Sequence, residues 1–377
     1  MSIDFIQEAL ESVRYPLTSA YSLPPSCYHD VSWFKYELDR VFKTGWFSIG
    51  RVDQWQRCGD YQALNIAGIP IVIVMDEDGK LQAMSNTCLH RSSEIMSGQG
   101  SCKVMVCPFH GWSYDYQGQV ISAPHMEVAE GFCQSDLFLK KFKLDVSDGF
   151  VFLSLDDDCG ELEDWLGDFP DVHACWSMHE LVTTRQRSFE VNCNWKLFIE
   201  VFNEYYHLPY VHSQSIGHYY PEPEDIDAVM GEYTTQFGLT TKNPALLETS
   251  QGNAFPMIST LGEKEKNGTR YTWIYPNITF AASVDCMWAY HVYPISPNRT
   301  LATQTVCFSK ETTKREDFAE KAQSYYERFD EAINEDIPAL EKQQSGMESP
   351  YARQGRFSAL EPSVANFACW YADMMRK

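Results

Sequence analysis

Positive charge is scarce in this 377-residue chain: 30 lysines and arginines stand against 52 aspartates and glutamates, a formal net charge of -22. Such a surface repels nucleic-acid phosphates and anionic lipid headgroups, so neither nucleic acid nor membrane is expected as a partner. Long apolar runs are missing too. The longest, Ile66 to Val74, is broken by Gly68 and Pro70 and is too short to span a bilayer. The first ten residues have neither the basic nor the apolar stretch of an export signal, which points to a cytoplasmic location. Twelve cysteines are scattered without small-domain spacing, so a disulfide framework is not expected and most read as free thiols. No Gly-x-Gly-x-x-Gly follows a strand-like run, which argues against a nicotinamide or flavin domain in this chain.

What is present suffices for substantial cores: 44% of residues are hydrophobic and 14% aromatic, which excludes disorder, and the length accommodates two domains. Residues 1–40 read as a helical and loop-rich lead-in. From 41 to 158 the pattern changes to short β-type runs, at 47–50, 61–66, 70–76, 81–86, 103–107, 112–116, 119–123 and 149–155. Turn signals such as Asp78-Gly79 and Gln117-Gly118 separate them, so an antiparallel β domain is expected. The acidic patch Asp156 to Asp158 marks its end.

From 159 to 377 the pattern is mixed. A strand is expected over 187–194, a helix over Trp195–Tyr206, and long strands over 270–282 and 286–308, where Tyr271, Trp273 and Tyr275 alternate. A helix from about Arg315 carries Phe318, Ala322, Tyr325, Phe329, Ile333, Ile337 and Leu340 on one stripe. This half is α+β, an antiparallel sheet with helices packed on it.

Two constellations carry chemistry. The first is Cys88-Leu89-His90 and, after sixteen residues, Cys107-Pro108-Phe109-His110. Two thiols and two imidazoles on paired loops make a metal site. Zinc accepts such a set, but zinc fingers pair cysteine with cysteine and histidine with histidine. Here each loop supplies one of each, which suits a Rieske [2Fe-2S] cluster with two cysteines on one iron and two histidines on the other. Cys102, between the loops, reads as an ordinary thiol.

The second constellation runs from Asn194 to His212, with histidines at 207 and 212. Five helical steps would turn them about 140° apart, so one metal is within reach of both only if Pro209 ends or kinks the helix between them. Asp336 falls on the inner stripe of the late helix, where a carboxylate needs a cation, strong donors or a capping role before Pro338. Two histidines and one carboxylate form a facial triad that fits non-haem Fe(II) and leaves positions open for O2. Glu204, three residues before His207, is expected on the same helix face.

The cluster loops, extended through Arg91, Gly111 and Trp112, resemble those of Rieske-type non-haem iron oxygenases. Ser92 departs from the pattern, since a glycine commonly follows the arginine. The block around His207 and His212 is similar to the mononuclear-iron motif of the same family, and Asn334-Glu335-Asp336 with Glu341 and Gln344 resembles its carboxylate-bearing segment. The resemblance covers nearly the whole chain and implies an oxygenase alpha component. Cys88, His90, Cys107 and His110 would hold the cluster; His207, His212 and Asp336 would hold mononuclear Fe(II). It also implies a Rieske β domain, a helix-grip catalytic domain that the lead-in packs on, and a homotrimer or a multiple of it. Glu204 would bridge an iron-ligand histidine to a cluster histidine, His110 or His90, of the neighbouring subunit.

The expected activity is O2-dependent hydroxylation of a small organic substrate, with electrons from a separate NAD(P)H-dependent reductase carrying a flavin and an iron–sulfur centre. Glutamate at the bridging position, where aspartate is usual, resembles members that oxidise quaternary ammonium compounds such as carnitine, glycine betaine or stachydrine. Hydroxylation of these leads on to N-demethylation or C–N cleavage. A cage drawn from Tyr205, Tyr206, Tyr219, Tyr220, Tyr271, Trp273, Tyr275, Trp288 and Tyr290 would suit such a cation. The alternative within the family is a dioxygenase or monooxygenase of aromatic rings or aromatic acids; the alternative outside it is a non-catalytic Rieske electron carrier. His125, His173, His179, His218 and His291 are assigned to structure or surface, with His218 the candidate among them for the pocket.

Overall fold

The computed structural model describes residues 6, 8–221 and 223–376, so the opening of the expected lead-in lies outside the described residues. The chain clusters into two compact units. One comprises Phe42–Val146 and Phe150–Gly160; the other comprises the chain up to Val41, Ser147–Gly149, and everything from Glu161 onward.

The smaller unit is built on a seven-stranded sheet of β1 (Trp46–Arg51), β2 (Asp60–Ile66), β3 (Ile69–Met75), β4 (Leu81–Ser85), β5 (Gln99–Ser101), β9 (Lys141–Ser147) and β10 (Phe150–Ser154). Its order is β1-β10-β9-β4-β3-β2-β5. A three-stranded sheet of β6 (Met105–Val106), β7 (Ser113–Tyr114) and β8 (Val120–Ser122) accompanies it. The run Ile71 to Val74 is buried on every residue, so β3 is covered on both faces. Two strands are additional to the expected runs. β5 is polar and exposed throughout and pairs only at the sheet edge, so it carries no hydrophobic signal; β9 alternates Phe142, Leu144 and Val146 with polar neighbours.

The larger unit holds a six-stranded antiparallel sheet: β11 (Leu181–Val191), β12 (Tyr233–Leu239), β13 (Gly268–Ile274), β14 (Ile278–Ala282), β15 (Cys286–Ser296) and β16 (Arg299–Ser309), in the order β11-β16-β15-β14-β13-β12. Each expected long strand is a hairpin. Pro276 and Asn277 sit in the turn between β13 and β14, and Pro297 in that between β15 and β16. A proline has no N–H to continue a ladder, and the chain turns there. The first strand also begins earlier than expected, at Leu181.

The helices that matter for the site are α1 (Val31–Glu37), α2 (Trp195–Phe202), α3 (Leu208–Val211), α4 (Phe318–Met347) and α5 (Pro362–Met374). The stripe expected on α4 is buried at Ala322, Tyr325, Phe329, Ile333 and Leu340. Gln344 fastens α4 to the start of α2, its Oε1 accepting the Asn194 N–H at 2.8 Å, while its Nε2 donates to the Tyr28 carbonyl at 3.2 Å. α1 is tied in by a wholly buried ion pair between Glu37 and Lys196. The Trp195 indole N–H donates to the other Glu37 oxygen at 2.9 Å, and the Tyr371 hydroxyl of α5 also donates to Glu37.

A buried pair of this kind is most exposed when one partner is lost. Lys196→Met is expected to destabilise the protein by about 3–5 kcal/mol, and Glu37→Gln in the same chain should recover part of the loss, as read by chemical denaturation of both variants.

Candidate metal centres

Asn194 caps α2 by accepting the Lys196 N–H on Oδ1 at 3.0 Å. The helix ends at Phe202. Asn203 folds back to give its side-chain N–H to the Ile199 carbonyl at 2.7 Å, and accepts the Thr279 hydroxyl of β14 at 3.1 Å. The chain therefore leaves the helix before Glu204, which corrects the expectation of a helix to Tyr206 with Glu204 and His207 on one face. Pro209 neither ends nor kinks that helix, contrary to expectation: it stands in the first turn of α3, where its missing N–H leaves no bond unmade.

Freed from the helix, Glu204 curls over the start of the next turn. Its Oε2 accepts the backbone N–H groups of Tyr206 and His207, the latter at 3.1 Å, and its Oε1 lies 2.6 Å from His207 Nδ1. His212, at the end of α3, has a matching partner: its Nδ1 lies 2.6 Å from Glu335 Oε2, which also accepts the Ser215 hydroxyl at 2.6 Å. A carboxylate only accepts, so each Nδ1 carries the proton, and in the neutral ring that a metal requires each Nε2 presents a lone pair.

Those lone pairs converge. His207 Nε2 is 3.7 Å and His212 Nε2 3.1 Å from Asp336 Oδ1, and the ligand atoms of the three residues all lie within 4.8 Å of one another. Asp336 Oδ1 is buried and has no hydrogen-bond partner among the described residues. Two lone pairs and an anionic oxygen facing one point repel each other unless a cation joins them, and this donor set fits a ferrous ion. Burial disfavours a charged His212 ring, but Asp336 and Glu335 outweigh burial and hold its pKa above the usual histidine range.

In the other unit, the two cysteine–histidine segments are loops that bend back on themselves. The Cys88 N–H donates to the Ser93 carbonyl at 2.8 Å, the Ser92 N–H to the Cys88 carbonyl at 2.9 Å, and Thr87 bridges Glu94. The Cys107 N–H bonds the Trp112 carbonyl at 2.8 Å and the Gly111 N–H the Cys107 carbonyl at 3.1 Å, at the tip of the β6–β7 hairpin. Ser92 takes φ +58° and Gly111 φ +75°, so the position where Ser92 departs from the family pattern does adopt the left-handed backbone that favours glycine.

Both cysteines are buried, and the Tyr114 hydroxyl donates to Cys88 Sγ at 3.2 Å. Burial raises the Cys107 thiol pKa, but N–H groups of Phe109 and His110 and the Cys88 thiol outweigh it and hold the pKa below the ordinary thiol range. The rings of His90 and His110 lie 4.6 Å apart between centroids, and His90 stacks on Trp112 at 5.2 Å. His90 Nδ1 is buried and has no hydrogen-bond partner among the described residues. Two sulfurs, two neighbouring imidazoles and an orphaned ring nitrogen fit a cluster with mixed ligation.

A pocket opens on the triad. Besides His207, His212, Asp336 and Glu204, its walls include Phe198, Phe202, Tyr205, Tyr220, Tyr271, Trp288, Tyr290, Ile333 and Arg328. Five of the nine aromatic candidates thus line it: Tyr205, Tyr220, Tyr271, Trp288 and Tyr290. Tyr206 faces solvent, Tyr219 packs with Ile216 and Ala332, and Trp273 and Tyr275 pack on Phe367. His218 is also outside the pocket, exposed and 3.4 Å from Glu248. His173 is a core residue, bonded to the Phe169 carbonyl at 2.8 Å and the Thr272 hydroxyl at 2.7 Å.

Residues 178–377 match the model of the ring hydroxylating alpha subunit, catalytic domain, and residues 45–143 that of the Rieske [2Fe-2S] domain. The chain belongs to the Rieske non-haem iron oxygenases. It is 27% identical to the chloroplastic choline monooxygenase of Atriplex hortensis, over 96% of this chain and 80% of the relative. It is 25% identical to the carnitine monooxygenase oxygenase subunit of Escherichia coli, over 90% of this chain and 88% of the relative. Its fold matches a quaternary ammonium Rieske monooxygenase solved with γ-butyrobetaine, with TM-score 0.79, 23% identity, and 97% and 98% of the two chains covered. As a Rieske oxygenase it is an α+β protein that uses a [2Fe-2S] cluster, mononuclear iron and O2, with His207, His212 and Asp336 as the triad. No helix among the described residues is long and apolar enough to cross a membrane.

Two residues of this oxygenase site have no role assigned from the sequence: Glu335, named there only as part of the carboxylate-bearing segment, and Arg328. Glu335 is adjacent to Asp336, and two neighbouring helical carboxylates point about 100° apart. Only the place of His212 tells that the first orients a ring while the second faces the metal point. Fixing ring orientation and tautomer in this way contributes to metal affinity. Glu335→Ala is expected to weaken Fe(II) binding about 10–100-fold while leaving the cluster's visible spectrum intact; Fe(II) titration with a chelator competitor reads the difference, and unchanged affinity would contradict the role given to Glu335.

Proposed function

We propose that this chain is the oxygenase component that oxidises a small quaternary ammonium compound with O2, using electrons from a separate NAD(P)H-dependent reductase. The observation that carries the reading is the ring-walled pocket that opens directly on the His207–His212–Asp336 triad. Aromatic faces attract a trimethylammonium group by about 0.5–2 kcal/mol per contact, and apolar walls exclude water around it. Phe202 meets Tyr271 at 5.7 Å and Tyr290 at 5.3 Å between centroids, and Tyr271 meets Trp288 at 6.3 Å, so the rings brace one another. The choline and carnitine monooxygenases among the relatives support the same class.

When bound, the cluster stores single electrons and the ferrous ion offers positions for O2. In the proposed arrangement Cys88 and Cys107 hold one iron of the cluster and His90 and His110 the other. Glu204, set on His207 Nδ1, is proposed to reach a cluster histidine of a neighbouring copy. The exposure of His110 supports this, as does the relative whose structure is described with inter-subunit electron transfer. A homotrimer or a multiple of it would then be part of the mechanism. A cytoplasmic location is proposed with it, from the scatter of the twelve cysteines along the chain without small-domain spacing.

The same rings would also suit an aromatic substrate. The fold likeness to the Rhodococcus naphthalene 1,2-dioxygenase, with TM-score 0.80 at 17% identity, concerns the fold alone. A spectral or thermal-shift screen of the iron-loaded enzyme should therefore show selective stabilisation by quaternary ammonium compounds; stabilisation by aromatic acids alone would reverse the assignment. Asp336→Ala should lose mononuclear iron and turnover yet keep the cluster spectrum, an outcome to which a simple electron carrier would be indifferent. The purified chain supplied with NADH but no reductase should show no steady turnover, measured as NADH and O2 consumption.

A further inference from the structure

Arg328 stands out among the pocket residues because its charge has no counter-ion among the described residues. Its side chain belongs to α4, the residue is 4% exposed, and it lines the pocket. Among the described residues no carboxylate forms an ion pair with it. Among the described residues its side chain makes one hydrogen bond, from Nη2 to the Tyr220 hydroxyl at 3.2 Å, and Nε is buried without a partner. The guanidinium lies over the rings of Trp288 and Phe329, at 5.2 and 5.4 Å from their centroids. A guanidinium offers five N–H donors in a rigid fork, and a desolvated one that spends a single donor on a neutral oxygen is incompletely satisfied.

Tyr220 sharpens this. Its hydroxyl oxygen accepts from Arg328 and also from the Tyr271 hydroxyl at 2.8 Å, so its own proton is left to donate elsewhere. Arg328 and Tyr220 thus present several donors together and no acceptor, within a pocket that also reaches the triad. Along α4, Arg328, Ala332 and Asp336 follow at steps of four on one face. Eight residues span about 12 Å of helix, so Arg328 and Asp336 enter the pocket wall two turns apart. The anionic oxygen of Asp336 does not neutralise Arg328, since it is turned to the His207 and His212 nitrogens.

We infer that Arg328, oriented by Tyr220, is the specificity-determining residue that receives a carboxylate of the substrate, so that the oxygenase takes a betaine-type zwitterion. This rests on the quaternary ammonium reading and narrows it. A cation in the pocket repels a lone ammonium alcohol such as choline, but it pairs with the carboxylate of a betaine and directs the other end of the molecule toward the triad.

The test measures binding to the cluster- and iron-loaded enzyme by calorimetry, with γ-butyrobetaine, L-carnitine, choline and benzoate as probes. The expected result is that the two betaines bind well above choline, and that Arg328→Met weakens them about 100-fold while choline is not weakened. Arg328→Lys, which keeps the charge and loses the fork, should fall between the two proteins. Betaine affinity that survives Arg328→Met, or choline binding as tight as the betaines in the parent enzyme, overturns the assignment while leaving the ammonium reading in place. Arg328-dependent binding of benzoate without any ammonium ligand keeps the carboxylate role and overturns the ammonium reading instead. Should the variants not fold, γ-butyrobetaine and its methyl ester are compared on the parent enzyme, where equal affinity again overturns the role of Arg328.

Discussion

A carboxylate on the outer nitrogen of each triad histidine is the interaction on which the rest of the site depends. Glu204 at 2.6 Å from His207 Nδ1 and Glu335 at 2.6 Å from His212 Nδ1 claim the ring protons and turn both Nε2 lone pairs toward Asp336. With either ring in the other tautomer, an N–H would face the metal point and the donor set would fail. The local architecture serves this requirement. Asn203 stops α2 one residue before Glu204, Pro209 starts α3 two residues after His207, and α4 supplies two successive acids to two different atoms of the site.

Buried charge is handled in contrasting ways within the same unit. Glu37 is surrounded by Lys196, Trp195 and Tyr371, so its charge and both oxygens are matched by the protein itself, and the arrangement ties α1 and α5 to α2. Among the described residues, Asp336 Oδ1 and Arg328 Nε lack such partners. The difference separates scaffold from site: an internally satisfied charge holds elements together, whereas an unsatisfied one facing a cavity is completed by what the cavity takes up. The cluster loops follow a related logic, with N–H donors directed at Cys107 and strained backbone at Ser92 where the loop must turn tightly.

Much of the fold was legible from periodicity. The β-runs, the buried stripe on α4 and the α+β character of the second half follow from alternation and from steps of three and four. The long strands were misread for one reason: hydrophobic alternation continues across a tight turn, so the reading over 270–282 joined two strands that Pro276 and Asn277 separate. β5 has no apolar face and exists only because the edge of β2 offers it hydrogen bonds. The helix expected to reach Tyr206 is cut short by side-chain bonds of Asn203, one of them to a residue on β14, which local propensity does not contain.

By itself the sequence determined the chemistry available: which thiols, imidazoles and carboxylates are present, at spacings that suit a cluster and a facial triad. It could do so because ligand identity and loop length are local properties. Only the tertiary structure decided which acid orients His212, which of the aromatic residues face the cavity, and that Arg328 meets no anion among the described residues. Those outcomes depend on α3, α4 and the sheet meeting at one place, through contacts between residues more than a hundred positions apart.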